Sequence, residues 1–331
     1  MKRLTVSSAK CFRRCARQFK IRYLLGYRTL ETPEALRVGT LTHTGLECIW
    51  NGQPVDLGDS EVDPFDRAKV EALLFGYVAR WGMPTDVVRV EAEFCAPLTN
   101  PETGKDSRTW VLAGKIDAIT RRQIIEHKTS SEDIELGSDY WKRLRMDAQV
   151  STYLVGAKSL GFDPEGCMYD VIRKPALKPR KATPVDKRKY KKLKKGEAGP
   201  PQLHANQREH DETPEAYGLR IREELASNPE KYYQRGTVVR LSDEARDAAH
   251  DLWQTGKLIR DSELTDRWPR NPDACLQWGR ACAYFPICTS EASLDDPALY
   301  QKLENVHTEL TLQPGDPHDT NEPECRPAGT D

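Results

Sequence analysis

Two short strands that carry Asp117 and Glu126 constrain the fold of this chain more than any other feature. Apolar residues surround each acid, and a short polar segment at Arg121–Arg122 separates the strands. A two-residue turn there pairs Asp117 with Glu126. Directly paired residues, and residues two apart on one strand, share a face of the sheet, so Lys128 joins the two acids. Two consecutive arginines are poor residues for a type I′ turn, so this register is a hypothesis.

Two carboxylates and one ammonium at the end of a hairpin suit phosphodiester hydrolysis. Carboxylates hold Mg²⁺ or Mn²⁺, which acidifies water and polarises a phosphoryl oxygen. A lysine beside the metal orients the attacking water or stabilises the developing negative charge. The alternative is an ordinary Glu/Lys ion pair on a surface hairpin, which carries no function.

The segments Gly114-Lys-Ile-Asp117 and Glu126-His-Lys128 resemble the metal-binding aspartate motif and the Glu-x-Lys motif of the PD-(D/E)XK nuclease superfamily. The resemblance is to its RecB-like branch, which includes CRISPR-associated and phage-encoded exonucleases, and it covers roughly residues 4–290. It implies an α/β fold, a restriction-endonuclease-like mixed β-sheet flanked by helices. It also implies metal ligation by Asp117, Glu126 and the backbone carbonyl of His127, with Lys128 as a catalytic residue.

Three further segments resemble motifs of the same branch. Val38-Gly-Thr-Leu-Thr-His43 resembles a helix that supplies a metal-binding histidine, and the apolar period that follows Gly39-Thr40 places His43 in the first turns of a helix. An imidazole beside carboxylates favours Mn²⁺ somewhat over Mg²⁺. Gln149 and Tyr153 resemble the Gln-x-x-x-Tyr motif, and their spacing of four places both on one face of a predicted helix. Glu93 resembles an additional acid on the preceding strand.

Cysteines cluster at the two ends of the chain. Cys275, Cys282 and Cys288 lie close together in sequence, and Cys11 and Cys15 lie in the predicted N-terminal helix. The odd total of nine argues against a secreted disulfide scaffold. Four thiolates fit an iron–sulfur cluster or Zn²⁺, whereas unliganded core cysteines are the alternative.

The RecB-like resemblance bears on the choice among these cysteine sites. Several members of the branch hold a [4Fe-4S] cluster with one N-terminal and three C-terminal cysteines. The segment Cys15-Ala-Arg-Gln-Phe matches their N-terminal signature with Ala in place of Pro. The resemblance therefore implies Cys15, rather than Cys11, as the fourth ligand beside Cys275, Cys282 and Cys288.

Charge is segregated along the chain. The totals of 50 basic and 51 acidic residues do not by themselves indicate a nucleic-acid-binding protein. Residues 173–195, however, hold one acid among many bases, and the N-terminal helix is also basic. A solvated, flexible insertion is the alternative interpretation of residues 173–195. We expect phosphate contacts, whose affinity falls steeply with salt, from Arg13, Arg17, Arg173, Lys174, Lys187, Arg188, Lys191 and Lys192.

The order helix, three strands, helix, strand predicts a sheet between layers of helices. Pro-rich, acidic and poor in apolar residues, residues 303–331 are predicted to be disordered. The rest is predicted to form one domain, residues 1–302, comprising a catalytic core at about 36–173, a basic insertion at about 174–212, and a helical and cysteine-cluster region at 213–302.

The leading hypothesis is a metal-dependent DNA exonuclease of recombination, repair or phage DNA processing. A structure-specific endonuclease would share the same site chemistry. A non-catalytic DNA-binding scaffold subunit on a nuclease fold would usually have lost an acid or the lysine. The expected partner is DNA with a free end, and unwinding would need a helicase partner, because the sequence has no ATP-binding Gly-x-x-x-x-Gly-Lys-Ser/Thr loop. Without an apolar run long enough for a membrane, we expect a cytoplasmic protein. No feature indicates an oligomeric state.

Overall fold

A mixed six-stranded sheet forms the centre of the protein. The computed structural model describes residues 1–30, 33–58, 62–191, 202–277 and 280–310. The sheet has the order β1-β4-β5-β6-β7, and β3 pairs with the other edge of β4. β1 with β4 and β5 with β6 are parallel, whereas the remaining neighbours are antiparallel. These strands are β1 (Lys2–Leu4), β3 (Val87–Thr99), β4 (Asp106–Thr120), β5 (Gln123–Ser130), β6 (Gly166–Arg173) and β7 (Tyr233–Val238).

Helices cover both faces of this sheet, as the sequence predicted for the fold class. They are α1 (Val6–Arg14), α2 (Ala16–Phe19), α3 (Glu34–Trp50), α4 (Pro64–Trp81), α5 (Asp139–Arg145), α6 (Ala148–Ser159), α7 (Pro214–Ser227), α8 (Pro229–Tyr232), α9 (Ser242–Thr265) and α10 (Phe285–Cys288). A π-helical turn at Lys20–Leu24 follows α2. The shorter strands are β2 (Tyr27–Thr29), β8 (Leu276–Gln277), β9 (Arg280–Ala281) and β10 (Tyr300–Lys302).

Two hydrophobic clusters fill the space between the sheet and its helices. One contains side chains of α1, α6 and α9, with Val150 and Ile259 fully buried. The other contains side chains of α3, α4 and α7, with Leu73 and Ile221 fully buried. Apolar residues of the central strands contribute to both clusters, which explains why these strands are almost continuously apolar rather than alternating.

The central sheet forks at β4. β1 pairs with residues 110–112 of this strand, and β5 pairs with Ala118 and Ile119 on the same edge. Between these two pairings, residues 113–116 of β4 pair with β3, and residues 113–117 pair with no described strand on the forked edge. The predicted hairpin register is confirmed near the turn, where Ala118 lies opposite Ile125 and Ile119 opposite Ile124, but the predicted pair of Asp117 with Glu126 is not formed. Counted back from the turn at Arg121–Arg122, Asp117 is therefore the first residue of β4 that no longer pairs with β5.

Several elements differ from the sequence prediction. The N-terminal helix breaks at Cys15, whose backbone is extended, and the helix predicted over 140–160 breaks at Met146–Asp147. Asp147 there caps α6, because its carboxylate accepts from the Gln149 N–H at 2.9 Å. β1 was not predicted, and α3 begins six residues before Thr40, so His43 lies in mid-helix rather than in its first turns.

The basic insertion is folded where the structure describes it. Tyr190 forms an isolated bridge with Leu203, and the Thr183 N–H donates to Arg208 O at 2.9 Å. Residues 192–201 lie outside the described residues. The first part of the predicted tail is also packed, since Arg28 donates to Val306 O at 2.8 Å and Leu310 is buried. Residues 311–331 lie outside the described residues, so the prediction of a disordered segment there is untested.

Glu212 anchors the insertion to α7. Its buried carboxylate accepts from Arg220 Nε and a terminal Arg220 nitrogen at 2.8 and 2.7 Å, and from the Arg180 N–H at 2.8 Å. The Arg220 contact first, and the Arg180 N–H with it, lower the pKa of Glu212 to about 2. The ionised form is therefore the one that the fold stabilises.

Replacing Glu212 by Gln should lower the free energy of unfolding at pH 7 by about 2 kcal/mol, because charge-assisted bonds become neutral ones. A carboxyl whose pKa falls on folding stabilises fully above its unfolded pKa and loses that stabilisation as pH falls towards the folded value. The difference between wild type and variant should thus be constant down to about pH 4.5 and shrink below it. Urea unfolding across this range measures it. Glu209→Gln, at a mostly exposed carboxylate, is the control, and an equal loss in both variants would contradict the anchor.

Candidate active site

An open cavity of about 770 Å³ lies in the fork of the sheet. Its walls come from the β1–α1 junction, α3, β4, β5 and α6, and from residues 308–309 near the end of the described chain. Five of the predicted catalytic and metal-binding residues line it directly: His43, Asp117, Lys128, Gln149 and Tyr153. The fold therefore brings together side chains that are more than a hundred residues apart in sequence.

Asp117 is held by the strand that separates from it. Its Oδ2 accepts from the His127 backbone N–H at 2.7 Å, so the carboxylate occupies the place of a ladder partner. His43 Nδ1 approaches the same oxygen at 3.7 Å from α3. Asp117 is consequently fixed between β5 and the predicted metal-binding histidine.

Glu126, Lys128 and Gln149 form a closed triangle of hydrogen bonds. Glu126 Oε1 accepts from Lys128 Nζ at 2.5 Å and from Gln149 Nε2 at 2.7 Å. Lys128 Nζ also donates to Gln149 Oε1 at 2.9 Å. Glu126 is buried, whereas the Lys128 side chain remains partly exposed to the cavity. Gln149 thus fixes the acid and the lysine of the predicted Glu-x-Lys motif at the same time.

Burial destabilises the charge of both carboxylates, and the Glu126 charge further destabilises that of Asp117. Burial first, and the Glu126 charge second, raise the pKa of Asp117 well above its usual value. Burial also raises the pKa of Glu126, against the opposing effect of Lys128. Burial alone would lower the pKa of Lys128, but Glu126 and Asp117 outweigh it and raise that pKa. The lysine therefore stays charged at neutral pH, and the site has a deficit of positive charge.

A divalent cation fits this deficit. Glu126 Oε2 is buried and has no hydrogen-bond partner among the described residues, so one acceptor of the site is left unsatisfied. A cation shared by Asp117 and Glu126 would occupy that acceptor and reduce the repulsion between the carboxylates. Within the described ranges, no group of three or more His, Cys, Asp or Glu residues is already arranged as a metal site.

His43 is a neutral imidazole. Enclosure in the cavity first, and then Lys128 and Lys115, lower the pKa of His43 to about 4. Its ring also contacts the His127 ring edge-on, with centroids 6.3 Å apart. An uncharged nitrogen is the form that ligates a metal, so its protonation state suits the predicted role.

On β3, the acid at the cavity is Glu91 rather than the predicted Glu93. Val90 pairs with Ala118 and Ala92 with Ile116, which places Glu91 opposite Asp117. Glu91 lines the cavity and forms an ion pair with Lys115, whereas Glu93, opposite Lys115, is not among the described residues that line it.

Lys115 and Glu47, which were not predicted as site residues, line the same cavity. Lys115 is two residues from Asp117 on β4, and Glu47 is four residues from His43 on α3. Residues two apart on a strand share a face, and so do residues four apart on a helix. Both residues could therefore have been predicted from their spacing to Asp117 and His43.

A buried polar network supports the site from behind. Asp170 Oδ2 accepts from Tyr77 OH at 2.6 Å and from Arg235 at 2.9 Å, and Trp50 Nε1 donates to Tyr77 OH at 3.0 Å. His127 Nδ1 lies 3.6 Å from the same Asp170 oxygen. Because residues alternate along β5, the side chain of His127 joins this network while its N–H holds Asp117.

Gly114, three residues before Asp117, leaves room for an aromatic contact. A Cβ at Gly114 would lie 2.8 Å from the Phe94 ring and 3.3 Å from Tyr153. Phe94 and Tyr153 meet edge-on with centroids 5.8 Å apart. The glycine is required because these rings pack directly on the β4 backbone, which fixes α6 and hence Gln149 against the site.

The four predicted cluster cysteines lie in one region. Burial, followed by the neighbouring Cys282 and Cys15 thiols, raises the pKa of Cys275. Burial likewise raises the pKa of Cys288, with Cys15, Cys275 and Cys282 adding to the increase against Arg17. Cys11 is instead buried in the core, and burial raises its pKa to about 11. Cys15, unlike Cys11, is thus near the C-terminal cysteines, but these thiols do not form a ready metal site in the described part of the chain.

Most of the predicted DNA-contacting bases lie away from the cavity. Lys174 lines it, but Arg13 contacts Thr255 on α9, Arg173 pairs with Asp133, and Arg188 lies beside Glu209. Lys192 lies outside the described residues. Arg17, Lys187 and Lys191 are described but are not part of the cavity wall.

A comparison with protein-family models agrees with this geometry. The model of the PD-(D/E)XK nuclease superfamily matches residues 3–289. The chain belongs to this superfamily. Members typically use divalent metals and act on nucleic acid. The match spans every element that supplies a predicted catalytic side chain, from α3 to α6.

Similarity to proteins outside the family model is weak. No curated protein matches the chain. A solved structure from Eubacterium rectale, named "Putative exonuclease", is 11% identical with a TM-score of 0.45, over 88% of this chain and 89% of that one. Another, named SSO0001, is 18% identical with a TM-score of 0.30, over 69% of this chain and 76% of that one. At TM-scores below 0.5, neither bears on the activity of this superfamily member.

In the described part of the chain, no helix combines the length and the apolar character needed to cross a bilayer.

Asp117→Asn should raise the free energy of unfolding in EDTA by about 1 kcal/mol, because it removes the repulsion with Glu126 and keeps an acceptor for the His127 N–H. Since the folded pKa of Asp117 is raised, its penalty is present at high pH and disappears as pH falls through that pKa. The gain should therefore be larger at pH 8 than at pH 4.5. Mn²⁺ should stabilise wild type more than the variant. Urea unfolding measures all three effects, with the exposed Asp163→Asn as control. A destabilised variant in EDTA would contradict the repulsion.

Proposed function

We propose that this protein is a metal-dependent nuclease that hydrolyses phosphodiester bonds of DNA and acts from a strand end. The observation that carries the proposal is the hydrogen-bonded triangle of Glu126, Lys128 and Gln149 beside Asp117 at an open cavity. Membership of the PD-(D/E)XK superfamily supports the nuclease chemistry. The preference for an exonuclease, and for recombination, repair or phage DNA processing, rests on the RecB-like motifs of the sequence.

The catalytic metal would be Mg²⁺ or Mn²⁺, held by Asp117, Glu126 and the His127 backbone carbonyl, with His43 as a further ligand. When bound, it acidifies water and polarises the phosphoryl oxygen under attack. The unpartnered Glu126 Oε2 and the neutral His43 imidazole both suit ligation.

The protein's own groups supply positioning and charge. Lys128 keeps its proton because Glu126 and Asp117 outweigh the cost of burial. Its ammonium therefore remains available to donate a hydrogen bond to the attacking water and to stabilise negative charge on the phosphoryl oxygens. Gln149 holds this ammonium at 2.9 Å, which limits its motion. Tyr153 forms part of the wall against which the substrate would lie.

Two other functions use the same fold. An endonuclease would share every residue of the site and differ in substrate threading. A scaffold subunit would bind DNA without cleaving it. This chain, however, retains both acids and the lysine: Lys128 is hydrogen-bonded to Glu126, and the Glu126 charge acts on Asp117. That retention favours an enzyme.

Lys128→Ala should reduce cleavage by at least about 100-fold, because the transition state loses a pre-positioned cation. The assay compares end-labelled linear DNA, single- and double-stranded, with a closed circle in Mg²⁺ or Mn²⁺. Lys158→Ala removes a mostly exposed lysine from α6 and should leave the rate unchanged.

Loss of linear DNA alone, abolished in Lys128→Ala, is the expected result. Cutting of the closed circle would move the assignment to an endonuclease. DNA binding without any metal-dependent cleavage by the wild type would instead favour the scaffold subunit.

We further propose that Cys15, Cys275, Cys282 and Cys288 bind a [4Fe-4S] cluster, with Zn²⁺ as the alternative. The support is the RecB-like cysteine pattern and the shared electrostatic environment of these thiols. The described residues do not form a ready metal site. A cluster at these cysteines would stabilise the fold and take no part in the cleavage step. A cluster there would link α1 and α2 to the C-terminal region, where the Arg17 N–H already donates to Pro269 O at 3.1 Å.

Anaerobically purified wild type should contain iron and acid-labile sulfide, whereas Cys15→Ala should lose both and unfold at a lower temperature. Cys48→Ala replaces a half-buried cysteine that is not one of the four proposed ligands. This variant should keep the metal content of wild type. Elemental analysis distinguishes the cofactors, because zinc without sulfide identifies the alternative. Wild type without either metal would refute the site.

A further inference from the structure

A second open cavity, of about 1280 Å³, adjoins the catalytic one. The two share Ala35, Leu36 and Lys174 as walls. α3 and the end of the β5 segment line both cavities. His43 and Thr129 line the catalytic cavity, whereas Val38 and Ser131 line the second one. A chain that leaves the catalytic cavity along α3 therefore enters the second one.

The second cavity concentrates positive charge in a chain of net charge −1. Its described wall has one acid, Glu34, and six bases: Arg22, Arg37, Lys69, Lys174, Lys178 and Arg280. Arg37 is paired with Asp66 and Lys69 with Glu34. The other four bases form no ion pair with a carboxylate among the described residues, so the wall of this cavity carries an excess of positive charge.

Lys174 stands where the cavities meet. Its ammonium donates to the Ala35 carbonyl at 2.9 Å, which is a neutral acceptor. Burial first, and repulsion from Lys69 second, lower the pKa of Lys174 against a smaller attraction to Glu34. An anion placed beside Lys174 would relieve this repulsion.

Apolar side chains alternate with these bases. Leu30 and Leu36 are exposed, and Leu177 and two prolines line the same wall. Cations alone would suit any phosphate-bearing ligand. A duplex presents phosphates outwards and stacks its bases inside, whereas an unpaired strand also offers base faces to apolar side chains.

We propose that the second cavity binds the single-stranded segment of the substrate that flanks the cleaved bond. Lys174 and Lys178 contact its phosphates, and Leu30 and Leu36 contact its bases. This inference rests on the proposed nuclease function, and it adds a strand-binding subsite and a preference for unpaired nucleic acid.

Binding is measured by fluorescence anisotropy in EDTA with oligothymidylates of about 4, 8 and 12 nucleotides, within the usual site sizes of single-strand binders. The double variant Lys174→Ala/Lys178→Ala should weaken binding of the longest strand about tenfold. Its slope of log Kobs against log salt should be shallower by about 1.4, since each phosphate contact on a single strand contributes about 0.7. The loss of affinity of the double variant, relative to wild type, should increase with strand length.

Two further variants isolate the cause. Lys257→Ala/Arg260→Ala removes two bases from a cavity that shares no wall residue with these two, and it should bind like wild type. Leu36→Ala should weaken binding without changing the salt slope, because it removes a base contact and no charge.

An unchanged salt slope in the lysine double variant would overturn the proposal. So would a duplex of equal length that binds as tightly as the single strand and loses as much affinity. Because binding is measured without divalent metal, these results do not depend on cleavage. The proposed function is tested separately through Lys128→Ala, so a failure of either can be distinguished.

Discussion

The hydrogen bond from the His127 N–H to the Asp117 carboxylate is the contact on which the site depends. It replaces a strand-to-strand bond at the point where β4 and β5 separate. The separation exposes the β4 edge from residue 113 to 117, and the cavity forms along that edge. One side chain therefore does two things: it ends the pairing of the hairpin, and it remains in the resulting gap as a predicted ligand.

The electrostatics of the site follow from this arrangement. Asp117 and Glu126 are brought together in a region of low solvation, and one lysine compensates for only part of their charge. Such a cluster costs folding free energy without a cation. The buried network of Asp170, Tyr77 and Arg235 makes this tolerable by fixing β5 from the opposite face, where His127 is packed. Function and stability thus compete at neighbouring residues of a single strand.

Sequence patterns predicted the parts of the site that obey simple periods. The hairpin register near the turn follows from strand alternation and a two-residue turn, and the shared face of Gln149 and Tyr153 follows from a spacing of four. Glu91 could not be found in this way, because its φ of 51° interrupts the alternation of β3. Val90 and Ala92, the two neighbours of Glu91 on β3, consequently pack in different hydrophobic clusters. β1 was missed because three residues carry too little pattern. The two helix breaks depend on tertiary contacts: Arg14 and Arg17, on either side of Cys15, bond to Asn271 and Pro269, and Asp147 bonds to Lys10 and Arg240.

Thr5 and Ser7 from the start of the chain and Thr308 and Glu309 from near its described end meet at the wall of the catalytic cavity. Contacts between segments so distant in sequence close a long loop, and this entropic cost slows their formation. During synthesis, this wall is incomplete until about three hundred residues have emerged from the ribosome. A nascent chain on the ribosome would therefore have an incomplete cavity. The active form would appear only after the residues near position 309 have been synthesised and packed against the N-terminal segment.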